Sequence, residues 1–245
     1  MKVLDARFVT SATDAGAIPK DGVPHIALVG RSNVGKSSVI NALTRLKLAR
    51  TSAAPGKTRL ANLYRISVEG GPGGPGRWAV YLADLPGYGY ARGGDQSVAA
   101  LRKIAETYFS GSAQLKSRAT DAGDDRVARN SSATRRDLDA GHPSGDRVAR
   151  HSRSASYEIA GALLLVDARH PGLEADADAM AWLSSLGIAR AVVATKFDKL
   201  SRAERARNLK TLERTLGMSA LPVSAASGEG LDDLWTLIAR LSRRR

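Results

Sequence analysis

The chain has 245 residues, a formal net charge of +13 and no cysteine, and hydrophobic residues make up 43% of it. These numbers predict one folded α/β domain with room for an extension, and they exclude a disulfide framework and a cysteine-ligated metal site. The basic charge favours a polyanionic partner such as nucleic acid, although a compositional bias towards arginine would give the same charge without a binding role.

The first residues and the apolar runs bear on the compartment. Residues 1–7 contain no long apolar core, so we expect no signal peptide. The longest apolar run, residues 159–166, is shorter than the roughly 20 residues that span a bilayer and suits a buried strand. We therefore expect a cytoplasmic protein without a membrane partner, and we treat it as a monomer.

Short apolar runs alternate with helical patterns along the chain, as in a mainly parallel sheet with helices on both faces. The glycine- and proline-rich residues 70–76 predict a hairpin loop, Ser201 suits an N-cap, and Gly187 suits the position after a helix. The sequence predicts six strands, at 25–30, 62–69, 77–84, 159–167, 191–195 and 221–224. It predicts helices at 36–46, 96–110, 174–186, 201–216 and 231–241.

Residues 117–156, here called the insertion, interrupt this order. They are rich in Arg, Asp, Ser and Ala and have almost no apolar periodicity, which predicts disorder; an RNA-contacting arm that orders on binding is the alternative. The insertion joins a helix to a strand, so it should project away from a ligand at the carboxyl ends of the strands. The predicted organisation is an N-terminal extension (1–23), a domain in two parts (24–116 and 157–245) and the insertion between them.

Residues 30–37 form a Walker A pattern, Gly-x-x-x-x-Gly-Lys-Ser, between an apolar strand and a helix. The glycines let backbone N–H groups surround the phosphates of a nucleotide, Lys36 would reach the β- and γ-phosphates, and the Ser37 hydroxyl would bind Mg²⁺. The predicted nucleotide-binding residues here are Gly30, Arg31, Ser32, Asn33, Val34, Gly35, Lys36, Ser37 and Ser38.

A second phosphate-binding segment is predicted after another strand, at Asp84-Leu85-Pro86-Gly87. An Asp here can hold Mg²⁺ through water, and the Gly87 N–H can sense the γ-phosphate. By themselves these four residues would indicate a turn, but their distance from a P-loop favours the Mg²⁺-binding interpretation.

The loop between these two motifs suits a nucleotide-sensing switch and contains Pro55, Gly56, Lys57 and Thr58. A Thr in such a loop can bind Mg²⁺ when the γ-phosphate is present. We favour Thr58 over Thr51 because the Pro-Gly pair before Thr58 can reshape the loop. An ordinary loop is the alternative.

A third segment, Thr195-Lys196-Phe197-Asp198, indicates guanine rather than adenine. The Asp198 carboxylate can accept two hydrogen bonds from the N1–H and N2–H₂ edge of guanine, adenine offers no such pair of donors, and Lys196 would lie along the base. The last strand ends in three residues whose backbone can meet guanine O6, although an ordinary turn would look the same: Val223, Ser224 and Ala225.

Together these motifs resemble the EngB (YihA/YsxC) family of ribosome-biogenesis GTPases. The resemblance implies a Ras-like P-loop GTPase fold, binding of GTP and GDP with Mg²⁺, and a role in maturing the large ribosomal subunit, whose rRNA and proteins would be partners. It also implies an association with division septum formation, which can be secondary. The resemblance breaks over the insertion, a segment that the family normally lacks. The matching segments are 30–38, 41–43, 49–52, 55–58, 84–91, 167–171 and 195–200.

Two positions bear on hydrolysis. Where Ras-type enzymes place a Gln that orients water, this chain has Tyr88. Asn33 lies where related GTPases use an Asn to help bind K⁺, an ion that can neutralise charge as an arginine finger does. We therefore hypothesise slow intrinsic hydrolysis that K⁺ or a ribosomal particle raises. The predicted catalytic residues are Lys36, Thr58 and Gly87.

Two other functions fit parts of the sequence. An ATP-using kinase or metabolic NTPase would share the P-loop, but it leaves residues 195–198 unexplained. A basic nucleic-acid-binding module with a degenerate P-loop would bind RNA equally well after Lys36→Ala, whereas binding by a switch would depend on the nucleotide.

Overall fold

The computed structural model describes residues 1–12, 14, 16–50, 60–71, 74–88, 103–110 and 157–243. Several predictions lie outside these ranges and stay predictions: Thr51, the switch loop 55–58, the first part of the second helix (96–102) and the insertion 117–156.

The described chain builds one seven-stranded sheet, with β1 and β3 at one end and β7 at the other. The central strands β4, β2, β5, β6 and β7 run parallel, whereas β1, β3 and β4 form an antiparallel ladder. The bounds are β1 Lys2–Ala12, β2 His25–Gly30, β3 Ala61–Glu69, β4 Arg77–Asp84, β5 Ile159–Asp167, β6 Arg190–Thr195 and β7 Ala220–Pro222.

The prediction of six strands is therefore wrong by one, because β1 lies within the segment 1–23 that we treated as an extension. Its pairing with β3 has two register shifts, between Val3 and Asp5 and between Phe8 and Thr10. Such bulges break the strict alternation of apolar and polar residues by which a strand is recognised. As an edge strand, β1 also leaves Phe8 49% exposed.

Five α-helices cover the two faces of the sheet in the described ranges, and this confirms the predicted α/β architecture with helices on both faces. Buried residues of α1 and α5, such as Ile40 and Ile238, pack on one face. Those of α2, α3 and α4, such as Tyr108 and Leu183, pack on the other. The bounds are α1 Lys36–Thr44, α2 103–110, α3 Glu174–Ser185, α4 Arg202–Leu216 and α5 Leu231–Leu241.

The predicted helix-end signals at Ser201 and Gly187 are confirmed. Ser201 is the N-cap of α4 and forms a capping box with Glu204, and Gly187 has a left-handed backbone with φ of 64° after α3. Two predicted elements are shorter than expected. Helix α1 ends at Thr44 because Arg45 turns into the left-handed region with φ of 57°, and β7 ends at Pro222.

The parallel strands bring four loops to one edge of the sheet. Register pairs Leu28 with Asp84, and Asp167 with Thr195, so the ends of β2, β4, β5 and β6 lie side by side. A ligand site is expected at this edge of an open α/β sheet. Across the described ranges, no helix combines the length and the apolar character needed to cross a membrane.

Candidate functional site

The Walker A residues form a tight loop between β2 and α1. Gly35 is the N-cap of α1 and has φ of 111°, a conformation that side-chain-bearing residues rarely adopt. No side chain among the described residues caps this helix, and its first turn has no acidic residue. The first-turn N–H groups and the positive end of the helix dipole thus suit an anion, as the sequence predicts.

Lys36 lies inside this loop. Its side chain is buried, and Nζ donates to the carbonyl oxygens of Gly30 at 2.9 Å and Arg31 at 3.1 Å. Burial lowers the pKa of Lys36, and the charge of Asp84 opposes that shift. The ammonium is therefore held within the loop, at the start of the helix where phosphates are expected.

Ser37 and Asp84 meet beside the loop. The Ser37 hydroxyl donates to Oδ2 of Asp84 at 2.6 Å. The other carboxylate oxygen, Oδ1, is buried and has no hydrogen-bond partner among the described residues. Burial raises the pKa of Asp84, while Lys36 and Ser37 lower it. An unsatisfied, desolvated carboxylate oxygen beside a hydroxyl is a donor set that suits a hard cation such as Mg²⁺.

The segment after Asp84 lies directly on the Walker A loop. The Ser32 N–H donates to the Tyr88 carbonyl at 3.1 Å, and the Ser32 hydroxyl donates to the Gly87 carbonyl at 3.3 Å. A Cβ atom at position 87 would lie 2.6 Å from the Ser32 nitrogen, so only glycine allows this approach. Leu85, by contrast, is a core residue and is 1% exposed.

The guanine-motif residues are tied to the Walker A loop. The Thr195 hydroxyl lies 2.7 Å from the Val34 carbonyl oxygen. Lys196 has a left-handed backbone with φ of 58°, and its Nζ donates to the Asn33 carbonyl at 2.6 Å. These contacts span more than 160 residues of sequence, and they place both predicted motifs in one site.

Asp198 lies at the same edge, where its Oδ1 accepts a hydrogen bond from the Ser224 hydroxyl at 2.6 Å. That hydrogen bond is the main cause of the lowered pKa of Asp198. A carboxylate has about four acceptor sites, so Asp198 can still accept from a base edge. The Phe197 N–H donates to the Val223 carbonyl at 3.3 Å, which joins the third motif to the residues before Ala225.

The comparisons with known proteins agree with this geometry. A family model described as a 50S ribosome-binding GTPase matches residues 25–128. A probable GTP-binding protein EngB from Alkaliphilus metalliredigens (strain QYMF) is 35% identical over 240 residues, covering 96% of this chain and 89% of that relative. Another, from Anaeromyxobacter sp. (strain K), is 37% identical and covers 99% of this chain and 93% of the relative.

The chain belongs to the EngB family. It is therefore a GTP-binding protein and a GTPase, as the sequence motifs predict.

Solved structures agree with this EngB fold. A crystal structure of Aquifex aeolicus Era superimposes with a TM-score of 0.62 at 19% identity, covering 91% of this chain and 58% of that chain. A crystal structure of a probable GTP-binding protein engB gives a TM-score of 0.51 at 20% identity and covers 90% of this chain and 99% of that chain. At such identities the likeness concerns the fold alone.

Sequence reasoning assigned no role to two acidic residues at this EngB site. Asp176 on α3 is 1% exposed and accepts a hydrogen bond from the Tyr88 hydroxyl at 2.9 Å. Asp167, at the end of β5, contacts Lys196 and Arg169. The sequence does contain a signal for Asp167, because this residue directly follows the apolar run 159–166 and so ends a strand at the ligand edge. The sequence contains no such signal for Asp176, because only the tertiary fold brings α3 to Tyr88.

Proposed function

We propose that this EngB-family GTPase acts as a nucleotide-controlled switch in assembly of the large ribosomal subunit. The contact between Ser32 and residues 87–88 carries the proposal, because the Walker A loop and the start of the second loop share hydrogen bonds. A nucleotide that engages the Ser32 N–H must compete with Tyr88, so its phosphates would move the segment after Asp84. The description of the matching family model and the net charge of +13 support an rRNA-rich partner.

In this proposal the Walker A loop binds the phosphates and residues 195–198 bind guanine. Lys36 leaves its loop carbonyls for the phosphate oxygens, and Asp198 accepts from the base. Backbone N–H groups near Ser224 and Ala225 would meet guanine O6. The proposal also includes the predicted switch loop, Pro55 to Thr58, and the binding of Mg²⁺ by Thr58. These four residues lie outside the described ranges.

The residues present fit Mg²⁺. The described ranges hold no cluster of three His, Cys, Asp or Glu that would bind a metal by protein ligands alone. Mg²⁺ in nucleotide sites instead takes one or two protein oxygens, phosphates and waters, and Ser37 with the unsatisfied Oδ1 of Asp84 supplies such oxygens. When bound, the ion would neutralise charge on the phosphates.

We also propose that intrinsic hydrolysis is slow. The Tyr88 hydroxyl is hydrogen-bonded to Asp176, so it faces α3, and a phenol lacks the amide with which Gln orients water. K⁺ bound near Asn33, or the ribosomal particle, would raise the rate. Equal turnover in K⁺ and Na⁺ buffers, with and without large-subunit precursors, would contradict this part of the proposal.

Co-sedimentation with large-subunit precursors tests the switch. We expect the protein to bind in the presence of a non-hydrolysable GTP analogue and to bind much less with GDP. Lys36→Ala should remove that difference, because the variant cannot hold the phosphates. Equal binding in both nucleotides, or binding that Lys36→Ala leaves unchanged, would favour a nucleotide-independent RNA-binding module.

The remaining parts of the proposal concern the cell. We propose a monomer that works in the cytoplasm, and a contribution to division septum formation that follows from ribosome supply. If septation fails in depleted cells while large-subunit assembly is normal, the division role is direct and this part of the proposal is wrong.

A further inference from the structure

Asp167, which lies outside the nucleotide motifs, is the centre of a polar cluster. It is 7% exposed at the end of β5. Its Oδ1 accepts from the Arg169 backbone N–H at 3.1 Å and from Arg169 Nε at 2.9 Å, and Oδ2 accepts from Arg169 Nη2 at 2.8 Å. Oδ2 also accepts from Lys196 Nζ at 2.9 Å. The carboxylate thus accepts hydrogen bonds from two cationic side chains, Arg169 and Lys196, that belong to different segments of the chain.

The Lys196 ammonium has a defined place between two acceptors. Asp167 lies on one side, and the Asn33 carbonyl of the Walker A loop lies 2.6 Å away on the other. A lysine side chain has four rotatable bonds and loses considerable rotamer entropy when it is held. Two acceptors that are already in place fix it before a nucleotide binds, which reduces the entropy lost on binding.

We propose that Asp167, held by Arg169, is a positioning residue that fixes Lys196 against the Walker A loop and thereby sets the affinity for guanine nucleotides. The proposal rests on the proposed nucleotide site. It adds a function for Asp167 and Arg169 in the segment 167–171, and it makes Lys196 the link between the base-binding and phosphate-binding motifs.

The charge of Asp167 supports this role. Burial alone would raise the pKa of Asp167, but the hydrogen bonds from Arg169 and Lys196 outweigh burial and lower it to about 2. The carboxylate is therefore ionised at every pH at which the protein would work. Arg169 contacts the carboxylate through Nε and Nη2, so the two hydrogen bonds fix the orientation of the Asp167 side chain.

The first test measures the equilibrium affinity for a fluorescent GDP derivative in wild-type protein and in Asp167→Asn. The variant keeps the shape of the side chain and removes its charge. We expect affinity to fall about tenfold, which corresponds to about 1.4 kcal/mol, with the same factor for a GTP analogue. Single-turnover hydrolysis at saturating GTP should stay unchanged. Glu69→Gln, which breaks an exposed ion pair with Arg77 far from the site, should leave affinity unchanged.

A double-mutant cycle with Lys196→Ala separates positioning from a general structural role. If Asp167 acts through Lys196, Asp167→Asn should have less than about a twofold effect in the Lys196→Ala background. If Asp167 only stabilises the fold, its full effect should persist there. Full persistence would overturn the proposal.

Arg169→Gln keeps the inference testable if Asp167→Asn does not fold. This side chain is partly exposed, and its loss should weaken GDP binding in the same direction, by a smaller factor that also disappears with Lys196→Ala. Wild-type affinity in both single variants would overturn the positioning role alone. Wild-type protein that does not bind GDP would instead contradict the proposed nucleotide site.

Discussion

Asp84 has an ionisable carboxylate where water does not reach. It is 2% exposed, burial raises its pKa, and no residue that the structure describes forms a hydrogen bond with Oδ1. Burying such a group costs free energy of folding unless a charge or donor satisfies it. The positive charge of Lys36 offsets part of this cost, and a bound cation would offset more of it. The position is thus better suited to ligand binding than to stability of the protein alone.

Gly87 allows the closest approach between two predicted phosphate-binding segments. In Gly87→Ala the new Cβ would lie 2.6 Å from the Ser32 nitrogen and 2.7 Å from its Cα, and backbone atoms cannot rotate away. We expect the free energy of unfolding to fall by about 1–3 kcal/mol, the usual cost of overpacking. Chemical denaturation of both proteins measures this.

Gly76→Ala is the matched control, because a Cβ built there has no described atom within 4 Å apart from its two neighbours in the chain. It should change the free energy of unfolding by less than about 0.5 kcal/mol. Equal stability of Gly87→Ala and wild type would contradict the close contact between Gly87 and Ser32.

His25 makes stability depend on pH. It is fully buried among the rings of Tyr81, Tyr108 and Tyr157, and burial lowers its pKa from 6.5 to about 4. The unfolded chain therefore binds a proton at a higher pH than the folded protein does. The stabilisation from neutral His25 is full above pH 6.5 and is lost as pH falls towards 4, by about 3 kcal/mol.

Denaturation series between pH 7.5 and pH 4 check this expectation. His25→Phe, which keeps an aromatic ring and cannot titrate, should show a shallower fall in the free energy of unfolding than wild type. The control is His170→Gln, at an exposed position. Its free energy of unfolding should fall as steeply with pH as that of wild type. Parallel curves for His25→Phe and wild type would show that His25 titrates normally.

At the scale of elements, α4 supports two loops of the site. The Asn208 side chain donates to the Ala168 carbonyl at 2.8 Å, beside Asp167. The Arg205 guanidinium carbon lies 4.7 Å from the centre of the Phe197 ring. One polar helix thus holds the ends of both β5 and β6, so its own start should matter for the site.

Ser201→Ala removes the side-chain half of the capping box at the start of α4. Losing a Ser N-cap costs about 1 kcal/mol of stability because a backbone N–H of the first turn loses its partner. Thermal unfolding measures this loss. Ser185→Ala, at the other end of a different helix where the hydroxyl binds the exposed Trp182 carbonyl, should have a much smaller effect.

The elements differ in how well sequence predicts them. Strands β4 and β5 were predicted with their observed bounds, because each is an apolar run between polar or turn residues. Helix α5 was also predicted with its bounds. Strand β1 was missed because two bulges break its alternation and one of its edges has no neighbour in the sheet. Such a strand depends on pairing with β3 more than on its own pattern.

At the scale of the molecule, the two described chain ends that flank the insertion lie at the opposite end of β2 from the nucleotide motifs. The described chain stops at residue 110 and resumes at residue 157. The residues at these two ends lie near His25 at the start of β2. The Tyr157 hydroxyl donates to the Tyr108 carbonyl at 2.8 Å, and the Tyr108 hydroxyl contacts the His25 ring. Gly30 and the nucleotide motifs lie at the other end of the same strand.

Replacing residues 117–156 by a short flexible linker should therefore leave GDP affinity within about twofold of wild type. Equilibrium binding of a fluorescent GDP derivative checks this. A tenfold loss would place the insertion at the nucleotide site. The same deletion protein, tested for binding to large-subunit precursors, would show reduced binding if the insertion is an RNA-contacting arm.

Local sequence by itself determined the nucleotide chemistry and the family of this protein. The Walker A loop and residues 195–198 are contiguous segments, and their proposed roles follow from residue type and from the strand before each one. Tertiary structure decided which residues hold those segments. Asp167 reaches Lys196, Lys196 reaches Asn33, and Tyr88 reaches both Ser32 and Asp176. The physical reason is the strand order, because pairing β2 with β4 and β5 places distant loops beside one another.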